Sequence, residues 1–293
     1  MSTVAAEKSY QNRPKAIGIT VRRLQFNPQP IRRHYFANSP VMSHLLTALS
    51  STFPIGEQFF VHSVRNVRDK VKDENLQAQI AAFIGQEAMH SKEHLAFNSS
   101  AQSYGYDIRT MEQQTGKVIR TGTKVLTTLL KPFGVTKEMI DLTGTCALEH
   151  FTAVIAAELL QNKDVQAMFN DSTMHQLWMW HAVEENEHKA VVFDVYTAIY
   201  GHGLKAYTMR AIAMIIAMGL IFMTQSYFTA QLMKIDGKLT WKDSKYMLKF
   251  MYARKGFMTR QIPELLDFFR PNFHPNDSDT DRLLADWKLK LGL

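Results

Sequence analysis

Four glutamates and three histidines in this chain have the types and spacing of a metal-binding set. Glu87-Ala-Met-His90 and Glu185-Asn-Glu-His188 are two Glu-x-x-His pairs, 98 residues apart. On a helix, positions i and i+3 share a face, so each carboxylate and imidazole can serve one ion or one cluster. Either pair alone reads as a solvated surface pair. Two lone glutamates in apolar surroundings change that. Glu57, in Phe53-Pro-Ile-Gly-Glu-Gln-Phe-Phe-Val61, precedes Glu87 by 30 residues, and Glu149, in Thr145-Cys-Ala-Leu-Glu-His-Phe-Thr-Ala153, precedes Glu185 by 36. That interval is one helix out and one back. Buried unpaired, each would cost on the order of several kcal/mol, so each calls for a cation. The order Glu, Glu-x-x-His, Glu, Glu-x-x-His is that of two-metal carboxylate bundles.

Charge favours two divalent ions over one, because four carboxylates and two such ions make a neutral buried cluster. Oxygen and imidazole donors favour two iron ions, with manganese as the other choice. His181 lies four residues before Glu185 and seven before His188. The three fall within about 60° of one helix face, which makes His181 the expected seventh ligand. His94 has the matching offset from Glu87 and His90 and is expected beside the set rather than in it. Glu93, Glu184 and Glu187 are expected as solvated charges, and His150 and Glu158 as non-ligands facing elsewhere.

On Glu57, Glu87-x-x-His90, Glu149 and His181-x-x-x-Glu185-x-x-His188, the chain resembles the bacterial proteins labelled predicted metal-dependent hydrolases. The resemblance implies a ferritin-like four-helix bundle. The additional histidine is similar to that of di-iron arylamine N-oxygenases, which implies a third imidazole on one iron. Pro54, three residues before Glu57, departs from a straight ligand helix and predicts a start or kink there.

The leading functional expectation is a di-iron oxidoreductase that activates O2 to oxygenate or oxidise an organic, lipid-like substrate, supplied by an electron donor. Glu87 and Glu185 would bridge the ions, with Phe53, Phe60, Phe83, Phe151 and Trp178 excluding water. The alternatives are a two-metal hydrolase, with Glu184 or His94 as general base, and a non-enzymatic iron-binding protein.

The elements that must carry these residues read as all-α. Helical periodicity over 39–205 predicts helices at about 40–51, 54–72, 75–102, 110–130, 136–160, 164–171 and 173–201, a metal-binding bundle. Residues 1–38 read as a basic extended arm punctuated by Pro28 and Pro30. Lys8, Arg13, Lys15, Arg22, Arg23, Arg32 and Arg33 against Glu7 give residues 1–34 a charge of +6, out of +7 overall. The bulk of the chain is near neutral, so nucleic acid is not the expected partner, and the arm is expected to be a solvated tail. Residues 206–235 read as an apolar helix. Its core, Ala211–Met233, carries no charge, and Lys205, Arg210, Lys234 and Lys238 flank it. Such a helix suits packing on the bundle, a peripheral membrane contact or a homodimer interface. Residues 236–293 read as short helices between prolines. The single cysteine, Cys146, excludes an intramolecular disulfide and a thiolate-rich metal site, and points to a reducing, cytoplasmic setting.

Overall fold

The computed structural model describes residues 18–26, 31–237 and 240–293. Lys8, Arg13, Lys15, Glu7, Pro28 and Pro30 of the arm, and Lys238, lie outside the described residues. The helices are α1 (Pro40–Arg65), α2 (Glu74–Gln102), α3 (Ile108–Leu130), α4 (Lys137–Gln161), the single turn α5 (Lys163–Gln166), α6 (Ser172–His188), α7 (Val191–Tyr200), α8 (Leu204–Ile235), α9 (Trp241–Tyr252), α10 (Phe257–Asp267) and α11 (Asp281–Leu291). The class is all-α; among the described residues the one β contact is an isolated bridge between Phe36 and Phe169. Side-chain caps start several helices. Asp73, Asp107, Thr136 and Asp171 accept from backbone N–H groups of the first turns of α2, α3, α4 and α6, which would otherwise lack partners.

Three expected boundaries are corrected. The segments at 40–51 and 54–72 are one helix, α1, with Pro54 inside it. A proline takes away the N–H that would bond the carbonyl four residues back, here that of Ser50. Asn98 on α2 supplies the replacement, its Nδ2 donating to the Ser50 carbonyl at 3.2 Å. The helix therefore continues through Pro54. The segment at 173–201 is two helices, α6 and α7, separated at Lys189–Ala190. The apolar helix is longer than 206–235, starting at Leu204.

α1 packs on α2, α4 on α6, and α8 lies along α1 and α4. α8 is long and apolar enough to cross a membrane by length and composition alone. The buried Arg210 fastens it to the C-terminal segment by donating to the carbonyls of Phe268 and Arg270. Hydrophobic packing forms two main clusters, one around Trp178, Trp180 and Phe97, the other around Phe83, Leu142 and Phe268.

The described part of the arm is not a solvated tail. Val21 lies over Gly85 of α2, where a Cβ would sit 2.6 Å from a Val21 methyl, so the close approach depends on glycine. Arg22 reaches Glu184 and Glu187 of α6, and the Phe26 N–H donates to Glu93. Glu93 and Glu184 are buried and the side chain of Glu187 is largely covered, correcting the expectation of solvated charges. A cation from the arm and backbone donors make that burial tolerable.

Candidate metal centre

Each ligand helix delivers its donors to one buried region. α1 contributes Glu57, α2 contributes Glu87 and His90, α4 contributes Glu149, and α6 contributes His181, Glu185 and His188. All seven are buried. Overlapping triads, each with ligand atoms within 4.8 Å of one another, join Glu57–Glu87–His90, His90–His181–Glu185 and Glu87–Glu185–His188. Glu149 adjoins them, its Oε2 lying 3.4 Å from His188 Nε2. Glu87 and Glu185 sit between the two Glu-x-x-His imidazoles: Oε1 of each is 3.7 Å from His90 Nδ1, while His188 Nε2 lies 3.1 Å from Glu87 and 3.8 Å from Glu185. Trp180 packs edge-on against His90 and Phe83 against His188, each at 5.0 Å between ring centres, so both hydrophobic clusters touch the centre.

The outer nitrogens of His90 and His188 are held by hydrogen bonds that leave their inner nitrogens bare, while both nitrogens of His181 are engaged. His90 Nε2 donates to Glu184 Oε2 at 3.1 Å. His188 Nδ1 donates to Gln86 Oε1 at 2.9 Å, and Gln86 in turn donates to Glu187. Arg22 binds both acids, at 2.9 Å to Glu184 and 2.7 and 2.8 Å to Glu187. For His181 the proton assignment follows from its neighbours. Asn98 Nδ2 donates to the Ser50 carbonyl and to Glu112, so Asn98 Oδ1 receives the Ser50 hydroxyl proton. His94 Nδ1 must then donate to Ser50 Oγ, at 2.8 Å. Burial holds His94 neutral, its pKa well below the usual histidine value. His94 Nε2 therefore accepts from His181 Nδ1, at 2.7 Å, while His181 Nε2 is hydrogen-bonded to Glu185 Oε1 at 2.8 Å and lies 3.9 Å from Glu57. Ligand histidines commonly donate their other ring N–H in this way, which fixes tautomer and orientation.

Electrostatics shows what the cluster lacks. Burial, reinforced by the neighbouring carboxylates, pushes Glu57 well above the usual carboxylate range and Glu87 to about 8. Burial lifts Glu149 to about 7 against the pull of His188. Glu185 lies well below the usual range because its hydrogen bond with His181 and the nearby His188 imidazole outweigh its burial. His188 is raised because its carboxylate neighbours, Glu149 first, outweigh burial. Both oxygens of Glu57, Glu87 and Glu149, together with His90 Nδ1 and His188 Nε2, are buried without a hydrogen-bond partner. Orphaned acceptors converging from four helices fit bound cations, which supply the partner each lacks.

Two cavities reach this region. One of about 490 Å³ is lined by His181, Glu185 and Trp178, the other, of about 230 Å³, by Glu57, Glu185 and Phe60. Glu184 and His94, expected as base candidates, are instead engaged with His90 and His181. What sequence reading missed were Arg22, Gln86, Ser50 and Asn98, whose partners lie on other elements. His150 and Glu158 face away: His150 bonds the Glu264 carbonyl and Glu158 pairs with Arg260.

No curated protein and no solved structure matches the chain. One family model does, across residues 20–279, and its description is "Predicted metal-dependent hydrolase". Since that match spans the ligand helices and most of the rest of the sequence, the chain belongs to the predicted metal-dependent hydrolase family.

Proposed function

We propose that this chain is a hydrolase with a two-ion centre held by Glu57, Glu87, His90, Glu149, Glu185 and His188, with His181 as seventh ligand. The observation that carries the reading is the set of buried, unpartnered donor atoms on four helices, in a family described by metal-dependent hydrolysis. That membership overturns the expected oxygen-activating oxidoreductase. Hydrolysis, the alternative reading, takes its place, a reaction that needs neither O2 nor an electron donor. The succession of donors on α1, α2, α4 and α6 supports a ferritin-like arrangement, and its oxygen and imidazole donors suit iron or manganese.

Bound divalent ions supply Lewis acidity, which makes water nucleophilic near neutral pH and polarises a scissile carbonyl. The protein's own groups do the remaining work. Glu87 and Glu185, whose oxygens lie between the His90 and His188 nitrogens, would help to hold the ions. Glu57, which would also hold an ion, borders the smaller cavity with both oxygens free of hydrogen-bond partners. Phe53, Phe151 and Trp178 line the approach and keep water out.

The test is metal analysis of the purified protein with ester-cleavage assays before and after chelation. Two ions per chain and activity lost on chelation and restored by Mn²⁺ or Fe²⁺ are expected. Glu185→Ala should lose one or both ions; unchanged metal content in that variant would remove the basis of the reading.

A further inference from the structure

The two cavities meet at the centre. Phe53, Phe151, Thr152, Ile155, Gln225 and Glu185 line both. Glu185, a proposed ligand, thus stands at their junction, with His181 on the side of the larger cavity and Glu57 on the side of the smaller. A scissile group placed there has an apolar compartment on each side.

The walls define the chemistry of what fills them. Among the described residues lining either cavity there is no lysine or arginine. A phosphate ester or a chain ending in a free carboxylate would find no cationic side chain along either limb. The larger cavity is within the size range of ordinary ligand sites and the smaller below it, so the two limbs are unequal. Exposed apolar side chains rim both: Phe222, Leu248 and Tyr252 at the larger, Val118, Ile212 and Leu220 at the smaller. Turns of α8 from Met209 to Thr229 serve as the shared wall of both limbs.

Resting on the hydrolase reading above, we infer that the substrate is a neutral carboxylic ester with an apolar chain on each side of the carbonyl, the longer in the 490 Å³ limb and the shorter in the 230 Å³ limb. In the reaction, water adds to the carbonyl carbon and the acyl C–O bond breaks. The water oxygen ends in the acid, the departing alkoxide takes one proton and becomes the alcohol, and no electrons are transferred.

The test uses the Mn²⁺-loaded full chain with hexyl acetate, hexyl decanoate, hexyl palmitate and monohexyl hexadecanedioate, whose free carboxylate would lie in the longer limb, and binding of the uncleavable ketone henicosan-6-one. kcat/KM should rise roughly fourfold per added CH2 until the limb is full, as burial of each methylene predicts; monohexyl hexadecanedioate should be cleaved at least tenfold more slowly than the palmitate. Hexyl acetate cleaved as fast as the palmitate, or faster, would overturn the substrate assignment while leaving hydrolysis in place. Ketone binding with no cleavage of any ester would overturn the hydrolase reading and leave the two-limbed site standing; failure of the ketone to bind overturns the site. Gly219, on the wall of the larger cavity, has nothing within 4 Å of where a Cβ would lie. Gly219→Trp should weaken ketone binding at least tenfold with both ions retained, and undiminished binding would also overturn the site.

Discussion

At the scale of single residues, the centre is governed by which imidazole nitrogen is bare and which carboxylates hold protons. Arg22 acts on both Glu-x-x-His imidazoles, through Glu184 to His90 and through Glu187 and Gln86 to His188. Arg22→Met should therefore weaken metal affinity by about 10–100-fold, read by competition with a coloured chelator. Protons and metal ions compete for the same oxygens, and the direction is fixed by the raised values of Glu87 and Glu149, about 8 and about 7. Their unfolded reference is 4.5, so in the metal-free fold these two carboxyls hold protons that they lose in the unfolded chain. Their contribution to stability then falls as pH rises from about 4.5 through 8. Bound cations remove that cost. The melting-temperature gain on adding Mn²⁺ should grow between pH 5 and pH 8, and a gain that shrinks with rising pH would contradict the assignment.

At the scale of elements, Pro54 shows how a local rule can be both right and incomplete. Its helix-breaking chemistry is real, and the sequence predicts a helix start or kink there. Asn98, 44 residues further on, repairs the break and passes its consequence along to Ser50, His94 and His181. Asn98→Leu takes the side-chain donor from the Ser50 carbonyl and the Oδ1 acceptor from the Ser50 hydroxyl, which keeps only His94. It should cost about 1–3 kcal/mol in urea denaturation, and it should lower metal affinity, because the His181 tautomer is no longer imposed. The ligand pairs themselves were legible because i, i+3 and i, i+4 spacings are internal to one helix. The burial of Glu184 and Glu187 was not, since the partners that make it tolerable sit elsewhere. One cue was available: α6 carries Trp, Met, Val and Ala among its acids on every side, and a helix without a polar face is generally enclosed.

At the scale of the whole molecule, the terminal segments close over the bundle. Lys189 on the α6–α7 turn donates to Ser278 and Thr280, Lys288 of α11 pairs with Glu187, and Trp287 donates to the carbonyl at the end of α4, Leu160. The all-α class and the donor order could be read from periodicity, but the enclosure could not, because it depends on contacts between distant parts of the chain. Removing residues 1–26 should leave the helical content by circular dichroism nearly unchanged while metal content falls, since the bundle packs without the arm but His90 and His188 lose their anchor. Arg22 meets Glu184 and Glu187 across 162 and 165 residues. Contacts so remote form late in folding. The arm leaves the ribosome first and must wait for α6 to be made before it can lock either imidazole. A growing chain would lack that hold on both imidazoles, so ion loading is expected to follow completion of α6 and docking of the arm.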